Sequence, residues 1–137
     1  MKLVLDQGYW KRSNLTAPNL KSLEYDIKKM KDFGFNGCRK HQKIEDERFL
    51  LLADTLGYLV WVEIPSAYEF TDKMMENYMY ELPYIVEQNY NHPAVMTWTL
   101  FNESWGIPDV LKDKKTQDFT VDAYKFTVAK KTGSTTV

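Results

Sequence analysis

The residues best suited to chemistry lie in the stretch Asn91-His-Pro-Ala-Val-Met-Thr-Trp-Thr-Leu-Phe-Asn-Glu-Ser-Trp-Gly106. Ala94 to Phe101 is an apolar run rich in β-branched and aromatic residues, the pattern of a buried strand. Pro93 keeps His92 out of the helical region, so the strand is approached through a turn. The run ends at Asn102-Glu103, an amide beside a carboxylate. A carboxylate at the carboxyl end of a buried parallel strand stands where α/β folds place their chemistry, and it is suited to general acid–base work. Trp98 and Trp105 flank it with flat apolar surfaces of the kind that pack on sugar rings. The competing reading is that Asn102 and Glu103 turn and cap the chain.

Other polar residues fall at similar places. Asp6 and Gln7 follow Leu3-Val-Leu5, Arg39 to Gln42 end a second candidate strand, and Glu63 follows Tyr58-Leu-Val-Trp-Val62. In a parallel sheet these positions are expected to converge on one rim with Asn102 and Glu103. Carboxylates, an arginine and a histidine buried together must pair or bind something. A purely structural network of Arg39 with Glu63 or Glu103 would also satisfy them. His41 and His92 sit in different turns without an H-E-x-x-H pattern, so no metal site is expected. The absence of a Gly-rich phosphate loop argues against a nucleotide, and no cofactor is expected. Cys38 falls mid-strand and reads as packed, not nucleophilic.

The elements that must position these groups alternate. A first strand at Leu3–Leu5 precedes a helix with Asn19 as N-cap and Gly34 as C-cap, whose face is Leu20, Leu23, Ile27, Met30 and Phe33. A strand is expected over Phe35–His41, then a helix over Glu45–Leu56 with Phe49, Leu50, Leu52, Ala53 and Leu56 inward, ended by Gly57. After Tyr58–Val62, a third helix starts at Thr71 or Asp72 and runs to about Asn91, with Pro83 expected to kink or break it. The Ala94–Phe101 strand follows, then a helix from about Gln117 to Lys131 and a polar tail, Thr132–Val137, expected to fray. The order β-α-β-α-β-α-β-α argues for an α/β fold with a parallel sheet. Four parallel strands leave two edges unpaired. The faces carrying Cys38, Val60, Val62, Met96 and Trp98 are expected to lie open to water.

The totals set bounds. At 137 residues the chain is expected to be a single domain, and 44% hydrophobic with 15% aromatic content is globular composition. Eighteen basic against nineteen acidic residues give a net charge of −1, which supplies no reason to expect nucleic acid or an acidic membrane as partner. One cysteine excludes an internal disulfide and suits a reducing compartment. No stretch approaches the ~18 apolar residues of a membrane span, so a cytoplasmic location is expected.

These residues carry a resemblance. Asn-His-Pro, an apolar strand and Asn102-Glu-Ser104 are similar to the acid/base strand of glycoside hydrolase family 2, which includes β-galactosidases and β-glucuronidases. Gly34-Phe-Asn-Gly-Cys-Arg-Lys-His41 resembles that family's second barrel strand, and Phe49 to Glu63 its second helix and third strand. The resemblance implies the first half of a TIM (β/α)8 barrel, that is, a parallel (β/α)4 half-barrel over residues 1–137, and a retaining β-glycosidase. Glu103 would be the acid/base, Asn102 would hold the sugar 2-hydroxyl, and Arg39 and His41 would shape the pocket. Glu63 would be a structural or subsite-lining residue, and Asp6 and Trp105 further contacts to a carbohydrate substrate. The family's nucleophile comes from the seventh strand, and Val137 falls about where a fifth strand should begin. The implied partner is therefore the missing half of the barrel or a second copy of the chain. The isolated chain is expected to be inactive. Its rivals are a carbohydrate-binding or folding fragment without turnover, and a flavodoxin-like domain.

Overall fold

The computed structural model of the chain describes residues 1–131, in two compact units: Met1–Pro65 with Asn91–Thr99, and Ser66–Tyr90 with the chain from Leu100. Along the chain the elements are β1 (Leu3–Asp6), α1 (Leu20–Asp32), β2 (Gly37–Lys40), α2 (Glu47–Leu56), β3 (Leu59–Glu63), α3 (Asp72–Asn89), β4 (Val95–Thr99) and α4 (Lys114–Lys131).

The first unit holds the sheet. All neighbouring strands pair in parallel, in the order β1-β2-β3-β4. This sequential order excludes the flavodoxin-like alternative, whose strand order reverses at a switch point. Four β/α units wound in one direction are the arrangement of half a (β/α)8 barrel. The approach of β2 to β3 needs Gly37, because a Cβ there would sit 2.2 Å from the Leu59 carbonyl oxygen.

The helical boundaries follow from local chemistry. The Asn19 side chain accepts from the Ser22 N–H at 2.9 Å, and Asp46 caps α2 through the Arg48 N–H. Leu23 and Ile27 of α1, with Phe49, Leu50 and Ala53 of α2, pack on Cys38, Tyr58, Val60, Val62 and Ala94. Burial of each Leu, Ile, Val or Phe among them stabilises by about 1.5–3 kcal/mol. Leu20 and Phe33, at the ends of the expected α1 face, are exposed. Asp54 of α2 accepts from the Ala94 N–H at 2.7 Å and meets His92 Nδ1 at 2.6 Å, which ties the turn before β4 to α2.

The expected assignment of strand faces is reversed for most of the sheet. Cys38 and Val60 are completely buried, Val62 nearly so, and Trp98 packs against the same cluster beneath the helices. Met96 is the extra residue where the register with β3 jumps from Val95 to Thr97. The pleat sends Leu5, Arg39 and Trp61 to the other face, since they are register partners and alternate with the helix-facing set.

The second unit is built on aromatic packing. Tyr78 of α3 stacks on Phe101 at 5.0 Å between centroids, Phe119 of α4 meets both rings edge-on or tilted, and Phe70 lies 5.8 Å from Phe119. The Tyr78 hydroxyl donates to the Leu100 carbonyl at 2.9 Å. Helix α3 runs unbroken through Pro83, so of the expected kink or break the break does not occur. The buried residues Tyr78, Leu82 and Val86 share its inner face, and their packing outweighs one missing ladder bond. Helix α4 starts at Lys114, earlier than expected, with the Asp113 carboxylate accepting from the Thr116 N–H and hydroxyl at 2.7 Å each. Among the described residues no helix is long and apolar enough to cross a membrane. The expected fraying of Thr132–Val137 lies outside the described residues.

Candidate active site

In the first unit three of the expected residues come together. Arg39 from β2, His41 just past it and Glu63 at the end of β3 converge because Arg39 and Glu63 share the face opposite the helices. The Arg39 Nε donates to Glu63 Oε2 at 2.5 Å, and His41 Nδ1 lies 2.8 Å from Oε1. The imidazole and carboxylate are in contact without hydrogen-bond alignment. Glu63 is wholly buried, while the Arg39 and His41 side chains are 27% and 21% exposed. The Arg39 guanidinium also sits 5.0 Å over the Trp61 ring, whose Nε1 donates to Thr99 Oγ1. Two cationic or donor groups are thus held by a buried carboxylate with their outer edges reaching solvent.

Asp6 joins a different group. Its carboxylate contacts Lys40 Nζ at 2.7 Å, its register partner on the helix-packed face, and it also accepts from the Gly8 N–H. Lys40 is 2% exposed, is held equally closely by Glu45, and lies 4.1 Å over the Phe49 ring. Burial works to depress the Lys40 ammonium, but Asp6 and Glu45 hold it above its ordinary value. Asp26 is pushed up by burial and by the nearby Asp6 charge. Beside this group opens a cavity of about 390 Å³ lined by Leu5, Asp6, Gln7, Gly8, Tyr9, Asp26 and Met30. Burial pushes the Cys38 thiol up to about 12, which leaves it a poor nucleophile.

In the second unit, Asn102 is buried and Glu103 is exposed. Glu103 adopts a left-handed backbone with φ of 54°. The chain then turns twice, the Trp105 N–H bonding to the Asn102 carbonyl at 3.1 Å and the Ile107 N–H to the Ser104 carbonyl at 3.0 Å. Trp105 meets Tyr68 edge to face, with centroids 6.0 Å apart. Trp98 takes no part here, since it packs in the first unit's core. Among the described residues no three His, Cys, Asp or Glu side chains group as a metal site.

Reading the sequence missed three features. Lys40 and its partner Glu45 carried no signal beyond the alternation of the strand, which places Lys40 opposite Arg39. Trp61 was visible only as part of an apolar run. Tyr68 lies in a loop whose partner is 37 residues further along the chain.

A sequentially ordered parallel sheet with polar groups clustered just after its strands defines the class as one half of a (β/α)8 barrel. Comparison with known proteins narrows this. The chain is 33% identical over 95 residues to a β-glucuronidase of Bacteroides fragilis, covering 63% of this chain and 14% of that one. A protein of Formosa agariphila, which carries the β-glucuronidase name provisionally, is 34% identical over 92 residues, 61% of this chain and 10% of its own. The crystal structure of Parabacteroides merdae β-glucuronidase superposes with a TM-score of 0.78 at 26% identity, over 92% of this chain and 16% of that chain. A family 2 β-galacturonidase from Eisenbergiella tayi shares the fold, with a TM-score of 0.69 at 20% identity, over 93% of this chain and 23% of that one. No protein-family model matches. The resemblance to glycoside hydrolase family 2 therefore holds in sequence and in fold over most of the chain, which spans about a tenth to a seventh of the length of its curated relatives.

Proposed function

We propose that this chain supplies the acid/base half of a retaining β-glycosidase site, acting on a carbohydrate whose class is that of β-glucuronides. The observation that carries the reading is Glu103, an exposed carboxylate held in a left-handed backbone just past β4, next to the buried amide of Asn102. Glu103 protonates the glycosidic oxygen as the bond breaks, then takes a proton from the water that releases the sugar. Asn102 holds the sugar 2-hydroxyl. Arg39 and His41, oriented by Glu63, offer donors to the sugar's oxygens, and Trp105 offers a ring face. The second carboxylate, the nucleophile, lies about 5–5.5 Å from the acid in retaining enzymes, and it comes from outside these 137 residues. Four β/α units form one partial barrel domain in this reading, completed by the other half or by a second copy of the chain.

Acid/base assistance contributes roughly 10²- to 10⁴-fold, against the 10⁶-fold or more of a working enzyme. Hydrolysis of nitrophenyl β-glucuronide, β-galactoside, β-mannoside and β-glucoside by the isolated chain is therefore expected at background. A chimaera joining the chain to the later strands of the Parabacteroides merdae enzyme is expected to turn over the glucuronide, and Glu103→Gln to abolish this. Clear turnover by the isolated chain, lost in Glu103→Gln, would overturn the division of the site and make Glu63 the first candidate nucleophile.

A further inference from the structure

The outer edge of β1 is open, and the direction of its backbone groups can be read from its neighbours. The carbonyls of Lys2 and Asp6 both accept from the β2 side, from the N–H groups of Asn36 and His41. Backbone groups of a strand alternate in direction, so Leu3 and Leu5 turn their N–H and C=O away from β2. Strand β1 ends the sheet, and among the described residues nothing pairs with those groups. The same alternation sets Lys2, Val4 and Asp6 on the helix-packed face. Val4 packs against the core and Asp6 meets Lys40, whereas Lys2 is exposed and its ammonium has no partner among the described residues. At the far end of the strand the charge is opposite. The cavity beside β1 is walled by Leu5 to Tyr9 and by Asp26 and Met30 of α1, with no wall from β2, so it opens on the free side. Asp26 has no cation within ion-pair distance among the described residues, and burial and the Asp6 charge push its carboxyl up. An ammonium at one end of an open strand and carboxylates at the other are self-complementary under a two-fold rotation.

We propose that this edge binds a second copy of the chain, β1 against β1, antiparallel, with Val4 opposite Val4 of the partner subunit. In that register Leu3 and the partner's Leu5 exchange their outward N–H and C=O groups, and Leu5 does the same with the partner's Leu3. Lys2 then stands opposite the partner's Asp6 in a non-hydrogen-bonded pair, where Cα atoms lie about 4.5 Å apart and side chains are closest. Its ammonium enters the partner's cavity beside Asp6 and Asp26, and the rotation repeats the contact at the other end. The neighbouring two-fold registers centre on Leu3 or on Leu5, and they set Lys2 opposite Val4 or Gly8 instead. Charge therefore selects one register among those the backbone allows. The pairing does not depend on the acid/base assignment of Glu103, and it gives the second copy of the chain its surface.

The test is sedimentation velocity of the full chain over a concentration series, with three variants and a cross-linking map. The wild type is expected to sediment as a dimer that dissociates on dilution. Lys2→Glu should weaken the dimer roughly tenfold, because two cross-strand attractions become repulsions. Lys2→Arg should leave it intact. Leu5→Pro removes an N–H that points away from β2, so it should abolish the dimer while the circular dichroism stays that of the wild type. If that variant fails to fold, the exposed Lys2 pair of variants decides. Cysteines introduced one at a time at positions 3, 4 and 5 then read the register under mild oxidation, with the buried Cys38 of the wild type as the silent control. Val4→Cys is expected to form a disulfide-linked dimer. Preferential linkage through Leu3→Cys or Leu5→Cys would overturn the register. A monomer at every concentration, or a dimer as strong in Lys2→Glu or in folded Leu5→Pro as in the wild type, would overturn the proposal. Each of these outcomes leaves the acid/base reading of Glu103 untouched.

Discussion

Arg39 and Lys40 are adjacent cations on one strand, and each meets a buried glutamate, yet their surroundings differ in kind. Lys40 is sealed beneath the helices, with Asp6 and Glu45 at 2.7 Å and the Phe49 ring against it. Arg39, on the other face, shares Glu63 with His41 and remains partly open. The closed group buries its cation, and of its members only Asp6 borders the cavity beside it. The open group buries its anion and exposes its cationic and donor edges. A buried ion pair is therefore not in itself the mark of a site. Which partner reaches water separates a structural network from a binding one.

The comparison can be broken most directly at Lys40. Lys40→Met leaves the Asp6 and Glu45 carboxylates facing apolar packing and is expected to cost about 3–5 kcal/mol, read by urea denaturation at pH 7. A loss under 1 kcal/mol would show that the closed network is not holding the sheet to its helices. The same face gives an alkaline signature. Cys38, two residues before Lys40, has its folded value raised from 9.0 to about 12, and Lys40 is raised above 10.5. A raised folded value means that the stabilisation is fully present below the unfolded value and is lost as pH climbs towards the folded one. Stability should begin to fall near pH 9, and Cys38→Ala should move that onset upward in denaturation curves taken from pH 7 to 11.

On the open face the expected losses are smaller. Glu63→Gln removes the shared anion, but Arg39 and His41 can turn to solvent, so a cost of about 1–3 kcal/mol is expected. Glycoside affinity should fall with it, since both groups lose their orientation. Arg39→Lys should change stability by less than about 1 kcal/mol while weakening sugar binding, because an ammonium cannot both hold Glu63 and present a planar fork. An Arg39→Lys protein with unchanged affinity would place the binding role elsewhere.

Much of this was legible in the chain. Periodicity and caps located α1 and α2 from Asn19 and Gly57, and the alternation of elements identified a parallel α/β fold; the Asp46 cap of α2 was not among them. The faces were not legible, because parallel strands are apolar on both sides. Val60 and Val62 look no more inward than Trp61 until Arg39 and Glu63 are seen to share a side. Pro83 does not break α3: the rule counts the lost bond and not the buried Leu82 and Val86 around it. Of the expected site residues, Arg39, His41 and Glu63 do meet, whereas Asp6 is drawn away to Lys40 by a pairing 34 residues distant in the chain. Local patterns could name the polar residues but not sort them, since the sorting is made by strand register.

The left-handed backbone of Glu103 has a consequence for the chain's history. A non-glycine residue at φ of 54° forgoes about 1 kcal/mol that glycine would recover, and asparagine tolerates the conformation better than glutamate. Mutation followed by selection for thermal persistence alone would therefore erode this position, replacing the carboxylate with Gly or Asn. Lineages that keep glutamate here must be screened for something other than folding. Passaging the chain under a stability screen, and sequencing position 103, would measure how strongly it depends on that second screen.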